Sequence, residues 1–407
     1  MNVLFLSQIV PYPPHGGVLQ RGYNLLRMSA RRNKIHLLAF VHPDVLGTEP
    51  LLEESRRELG KFCSSVEFFT LWPKKSKFHK FAGFALSCCS TLPFSVLAHS
   101  SRPFRARFEE LASSDDIDLI HFDTIALAEV DCPGIRKPKV LTHHNIESVL
   151  MARRAAVEKN PVLRAYLRRQ ARRLEAYEKE KSPLFACNIL VSGEDESKLR
   201  AAVPGITTAI VPNGVDTDYF RPVLTDERPA VVYAGGMNMF ANKDAVLFFL
   251  KEIWPLIKRS RPESEFYAIG QCPPAELLEY AKGDSSVTAP GYVDDVRPFI
   301  SRAAVYVIPL RIGGGTRLKL LDAMAMGKAI VSTSIGCEGI EAADGKELLV
   351  ADSPADFAAR VLDLLKDEPK RRALGSAARR AAEAKYSWES IGLRLQEAYE
   401  DAQRRIG

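Results

Sequence analysis

Short apolar runs alternate with stretches of helical period along most of the chain, and this pattern predicts a succession of β–α units. Residues 2–7 read as a first strand, 18–30 as a helix and 35–41 as a second strand. Further strands are expected at 66–71, 117–122, 139–144 and 189–192. The stretch 151–181 reads as one long helix, and another helix starts at Glu194. A turn-rich segment, 211–220, then leads into 222–229, which reads as a linker. Beyond it the pattern restarts, with strands at 230–236, 265–270, 287–293 and 305–310 and a helix at 243–259. The tail reads as three helices, 354–367, 369–384 and 388–405. Strand–helix alternation implies a parallel sheet covered by helices, and its restart implies two such α/β domains.

The segment 311–328 breaks the monotony. Three consecutive glycines, Gly313 to Gly315, follow the strand 305–310, and Thr316 is a good helix N-cap. Leu318, Leu321, Met324 and Ala325 then fall at helical spacing until Gly327. Bare backbone N–H groups and a positive helix end aimed at one point suit a phosphate. Arg317 and Lys319 add cationic charge there. A glycine turn alone fits a tight strand-to-helix connection without ligand equally well. His143 and His144 close a strand, where open α/β sheets place their ligands, although a strand-end histidine also serves as a hydrogen-bonded core residue.

Composition narrows the classes. A chain of 407 residues exceeds one ordinary domain, which agrees with the restart in the pattern. Net charge is +6, short of a dedicated nucleic-acid binder and better suited to anionic small molecules or an anionic membrane surface. The seven cysteines form no C-x-x-C pair, which points to a reduced, cytoplasmic chain without a cysteine zinc site. The N-terminus lacks a basic leader and meets Pro11 early, so it reads as a strand and not a signal peptide. Residues 81–101 are the longest uncharged stretch, but Pro93 and many small polar residues favour a buried helix and loop over a membrane span. Seven arginines between 153 and 173 make either a solvated helix face or a face for anionic lipid. Asp216 and Asp218 read as turn residues, not as metal ligands.

Taken together, several motifs resemble the family 4 glycosyltransferases over nearly the whole length. They are the Pro11–Gly17 loop, His143-His-Asn-Ile-Glu147, Val191-Ser, Val211-Pro-Asn-Gly-Val-Asp, Gly235-Gly-Met, Gly291-Tyr-Val-Asp-Asp-Val296 and Gly313 to Gly327. The resemblance implies the GT-B fold, two Rossmann-like domains facing each other across a cleft. It divides the chain into an acceptor-binding domain, 1–205, and a nucleotide-sugar-binding domain, 206–387, with helix 388–407 packing back on the first. It implies metal-independent transfer of a sugar, with retention, from a nucleotide diphosphate to a glycan or lipid-linked acceptor, as in surface polysaccharide synthesis. The implied partners are a nucleotide sugar and that acceptor, without nucleic acid and without a further cofactor, in the cytoplasm or at the inner membrane face.

The resemblance also implies roles. Gly16 and Gly17 would approach the donor pyrophosphate, and His144 the donor sugar. Val293 would meet the base through its backbone. The family's paired acidic residues fall on Gly314 and Asp322, so the first acid is missing and the second is shortened to aspartate. Gly314, Gly315 and Thr316 would offer backbone N–H groups in place of the missing acid. The loop cations of the family fall on Gly236 and Asn242, which leaves Arg317 and Lys319 to carry the catalytic charge. Asn145, Glu147 and Arg153 are acceptor-side candidates. Two other readings stay open: a non-catalytic nucleotide-sugar-binding subunit, and an epimerase or hydrolase of the same fold.

Overall fold

The computed structural model describes residues 1–14, 17–42, 48–71, 87–132, 134–223, 225–312 and 317–405. The chain forms two compact units, Met1–Pro212 with Ile391–Gly407, and Asn213–Ser390.

The first unit is built on a seven-stranded sheet. Its strands are β1 (Asn2–Ser7), β2 (Lys34–Val41), β3 (Ser65–Thr70), β4 (Leu119–Phe122), β5 (Lys139–His143), β6 (Cys187–Leu190) and β7 (Thr208–Ile210). The spatial order is β3-β2-β1-β4-β5-β6-β7, with every pairing parallel. Covered on both faces, the central strands are apolar throughout instead of alternating: Val3 to Leu6 and Leu37 to Phe40 are all sealed from solvent. Helix Gly17–Ala30 follows β1 and buries Leu25, Leu26 and Met28. From Ile391 onward helix Trp388–Arg404 belongs to this unit. There Tyr399 is fully buried, and its hydroxyl lies 2.6 Å from His121 Nδ1.

The second unit carries a six-stranded parallel sheet in the order β10-β9-β8-β11-β12-β13. These strands are β8 (Arg228–Ala234), β9 (Glu265–Ile269), β10 (Val287–Gly291), β11 (Ala303–Ile308), β12 (Ala329–Ser332) and β13 (Leu349–Val350). Phe249, Trp254, Phe266 and Phe357 pack as one aromatic cluster in its core. Helix Leu318–Ala325 joins β11 to β12 and ends at Gly327, whose φ of +65° lies in the left-handed region that glycine adopts freely. That end is braced. Arg379 of helix Glu368–Tyr386 donates to the carbonyl of Ala325 at 2.6 Å. Gly375 lies so close to Gly327 that a side chain there would run into its carbonyl oxygen.

Three expectations need correction. The stretch 151–181 is two helices, Glu147–Val157 and Pro161–Lys181. Asn160 caps the second by accepting from Val162 N and Leu163 N, and Pro161 has no N–H with which to continue the first. The domain boundary falls after Pro212 and not after 205, because β7 pairs with β6. Residues 222–229 are therefore no linker. Thr225 bonds to Ser301 O at 3.1 Å, and Glu227 pairs with Lys328 at 2.8 Å and Arg371 at 2.9 Å, all inside the second unit.

Candidate functional site

In each sheet the strand order reverses once, between β1 and β4 in the first unit and between β8 and β11 in the second. Such switch points open a crevice beyond the carboxyl ends of the strands. Both places gather polar side chains in otherwise apolar surroundings.

In the second unit β8 runs into Gly235-Gly236, and helix Leu318–Ala325 points its first turn at the same spot. Lys319 reaches across from that helix. Its Nζ donates to Asn242 Oδ1 at 2.6 Å and to Tyr233 OH at 3.0 Å, and lies 4.7 Å from the Tyr233 ring centre. Asn242 Nδ2 donates to Gly236 O at 2.8 Å, so one amide fastens the loop after β8 and holds the ammonium. Gly235 makes room for this: a Cβ there would stand 2.6 Å from Lys319 Nζ. Arg311, at the end of β11, donates to Asp244 at 2.7 Å and 3.1 Å and ties that strand to helix Phe240–Phe248.

Arg317 flanks the ammonium at the helix N-cap. Its Nε donates to Ile335 O at 3.2 Å, and it pairs with Glu338 at 3.4 Å while 10% of its side chain stays exposed. Asp322 sits one turn further along the same helix, half-buried, and among the described residues its carboxylate accepts no hydrogen bond. Burial pulls Lys319 down to about 7, helped by the nearby charge of Arg317, while Asp322 pulls the other way. Burial pushes Asp322 up to about 7 against the attraction of Lys319. A cation and a carboxylate side by side, both shifted by burial, make this place a candidate for meeting a ligand.

In the first unit the polar centre lies past the ends of β1, β4 and β5. Asp123, directly after β4, is 1% exposed. Ser7 Oγ, which donates to Ile9 O at 2.8 Å, lies 3.4 Å from it, and His144 Nε2 lies 3.2 Å away. Arg21, buried in helix Gly17–Ala30, donates to the carbonyls of Val211 and Pro212 at 2.7 Å each. Burial lowers it to about 10, and the charge of Asp123 works against that. His121 bonds to Tyr399 and Thr142 through its two ring nitrogens, and burial takes it down to about 3. His143 faces the other way, 3.0 Å from Asn188 Oδ1, and burial lowers it to about 4; it is a core histidine. Glu147 opens helix Glu147–Val157, where burial raises its carboxyl although the His144 charge opposes this.

The structure thus brings together Lys319, Asn242 and Gly236, with Arg317 and Asp322 beside them, and separately His144 with Glu147. Gly16, Gly314, Gly315 and Thr316 lie outside the described residues. Gly17 is the exposed first residue of its helix. Val293, past the end of β10, packs partly against the second unit's core. Asn145 is half-buried beside His144, and Arg153 reaches Glu194 at 3.9 Å on the exposed side. Sequence reasoning missed Asp123, Tyr233 and Arg21. Asp123 had a signal, a carboxylate directly after the apolar end of a strand, whereas Tyr233 and Arg21 are hidden within segments that read as strand and helix.

Known proteins resemble the chain in sequence and in fold. Residues 228–367 match the family model described as Glycosyl transferases group 1. A GDP-mannose-dependent α-(1-6)-phosphatidylinositol monomannoside mannosyltransferase of Mycobacterium tuberculosis is 27% identical over 231 residues, which is 50% of this chain and 59% of that protein. The chain spans between 37% and 59% of the length of the curated relatives it matches. Among solved structures, sucrose-phosphate synthase of Thermosynechococcus elongatus superposes with a TM-score of 0.68 at 18% identity, covering 100% of both chains. HepE of Anabaena in complex with UDP superposes with a TM-score of 0.66 at 15% identity, covering 98% of this chain and 100% of that one. The fold is GT-B, as the motifs implied, and the match of residues 228–367 to the glycosyl transferases group 1 model agrees with their resemblance to glycosyltransferases.

Proposed function

On the premise that residues 228–367 belong to the glycosyl transferases group 1 family, we propose that the chain transfers a sugar, with retention, from a nucleotide diphosphate to a glycan or lipid-linked acceptor. The observation that carries this reading is the ammonium of Lys319, held by Asn242 and Tyr233 at the sheet's switch point, with Arg317 alongside. A leaving nucleoside diphosphate gains negative charge as the glycosidic bond breaks, and fixed cations in a partly dry site stabilise it. Asp322 offers the carboxylate for the ribose hydroxyls. His144 is the candidate contact for a sugar hydroxyl. Because the protein supplies the cations, the reaction is proposed to run without a metal.

The mannosyltransferase relative and the UDP complex of HepE support a nucleotide-sugar donor, and the relative supports a lipid-linked acceptor. Helix Pro161–Lys181 supports work at a membrane surface in surface polysaccharide synthesis. It exposes Arg168, Arg169 and Arg172, with Val162 at 78% exposure near its start. Among the described residues no helix is long and apolar enough to cross a membrane.

Incubation with a panel of nucleotide sugars that includes GDP-mannose and UDP-glucose, with and without lipid-linked acceptors, tests the proposal. The expected result is nucleoside diphosphate release that rises with acceptor and persists in EDTA. Tight binding without release would favour the binding-subunit reading. Release without acceptor stimulation would favour hydrolysis.

A further inference from the structure

Asp123 has no part in the reading above, yet it is a carboxylate buried at the sheet's switch point. A carboxylate in such surroundings is costly unless a proton donor or cation faces it. Four groups surround it. Ser7 Oγ lies 3.4 Å from it, while its one proton goes to Ile9 O at 2.8 Å. Arg21 attracts it through space while donating to Val211 and Pro212. His121 also bears on it by charge, but both of its ring nitrogens are engaged, by Tyr399 and Thr142. His144 approaches closest among the nitrogen groups, with Nε2 at 3.2 Å and at an angle short of a linear hydrogen bond.

His144 also differs from the others in exposure. Its side chain keeps 7% of its surface open, although Nε2 itself is sealed. Arg21 is 2% exposed, Ser7 1%, and His121 and Tyr399 not at all. One edge of the imidazole therefore faces the buried carboxylate, and the other carries the nitrogen that a ligand can reach.

We propose that Asp123 is a positioning residue for His144: it accepts the Nε2 proton, fixes the ring's tautomer and angle, and leaves Nδ1 to accept a hydrogen bond from a sugar hydroxyl. The inference rests on the glycosyltransferase reading for the identity of that hydroxyl, but not for the Asp123–His144 relation itself. A neutral imidazole has one donor and one acceptor nitrogen, and the partner of the donor decides which is which. Carboxylates commonly perform this service for histidines whose other nitrogen does chemistry. The bent approach agrees with an unliganded site, since such bonds often tighten only when substrate binds.

Turnover of the full chain is compared for wild type, Asp123→Asn, His144→Ala and the double variant. In parallel, ¹⁵N NMR of the histidine ring nitrogens is recorded on the wild type, with His144→Gln for assignment. Asp123→Asn is expected to lower kcat on the order of 10²-fold. Donor KM should stay within about threefold of wild type, and the double variant should be no slower than His144→Ala. His144 in the wild type should carry its proton on Nε2. Wild-type kcat in Asp123→Asn, additive losses in the double variant, or a proton on Nδ1 would each overturn the proposal. The NMR experiment decides even if Asp123→Asn does not fold. It needs no turnover, so absence of transfer from every donor would count against the glycosyltransferase reading alone.

Discussion

Lys319 Nζ and Asn242 Oδ1 lie 2.6 Å apart, although the two residues belong to different β–α units of the second sheet. The loop after β8 carries an amide where the family resemblance puts a lysine, and a lysine from another helix delivers its ammonium to that amide. Relocation of this kind is testable. Lys319→Ala should lower turnover at least ~10²-fold, as loss of a transition-state contact does. Adding Asn242→Lys to that variant should recover part of the loss, because the charge returns to nearly the same place. Initial rates of nucleoside diphosphate release measure both. No recovery, with the double variant folded, would argue against a shared position.

Arg317→Ala should also cost on the order of 10²-fold in turnover, with kcat and kcat/KM falling together if the contact forms only in the transition state. Its bonds to Ile335 O and Glu338 aim the guanidinium, so Glu338→Gln should produce a smaller loss in the same direction. Steady-state kinetics with saturating acceptor separate these. Wild-type turnover in Arg317→Ala would remove it from the site.

Two glycines near Lys319 should behave in opposite ways. In Gly235→Ala the new methyl meets the tip of a flexible side chain, so Lys319 shifts, the fold survives and turnover drops about tenfold or more. In Gly270→Ala it meets the carbonyl of Gly235, at a residue whose φ is +151°. That backbone cannot easily give, so thermal stability should fall by about 2–4 °C for each kcal/mol of strain. Melting curves and rates on the same preparations check the contrast.

The pH dependence of Asp322 has a definite sign. Its carboxyl is raised from 3.8 to about 7 in the folded protein, so between those values the native state binds more protons than the unfolded one. Its contribution to stability therefore falls as pH rises through that window. Asp322→Asn should then gain stability over wild type progressively from pH 4 to pH 7 and hold that gain above it. Denaturant midpoints across pH show this. A gain that shrank with pH would contradict a raised carboxyl at Asp322.

The parallel sheets were legible because central strands such as Val3 to Leu6 and Leu37 to Phe40 are apolar without interruption, and the helices showed through period and caps. The break at Asn160-Pro161 was also legible in principle, since a cap residue and a proline stand together; the helical period on either side masked it. The role of residues 222–229 was less accessible. A polar, proline-flanked stretch looks like linker, and only the distant partners Ser301, Lys328 and Arg371 fasten it to the second unit. The cationic role assigned to Lys319 came from the charge missing in the loop after β8, but its holder, Tyr233, could not be read. Within an apolar run a tyrosine looks like core, and its hydroxyl matters through one long-range contact.

Helix Leu318–Ala325 is braced at its C-terminal end. Arg379 and the Gly327–Gly375 contact fix the helix from behind, so Lys319 is a charge mounted on a stiff support and not on a loop. The backbone beneath Lys319 is therefore set, and only its side chain is free to shift. Whatever anion it meets, the ammonium that burial pulls down to about 7 is placed by its own torsions and not by movement of the helix.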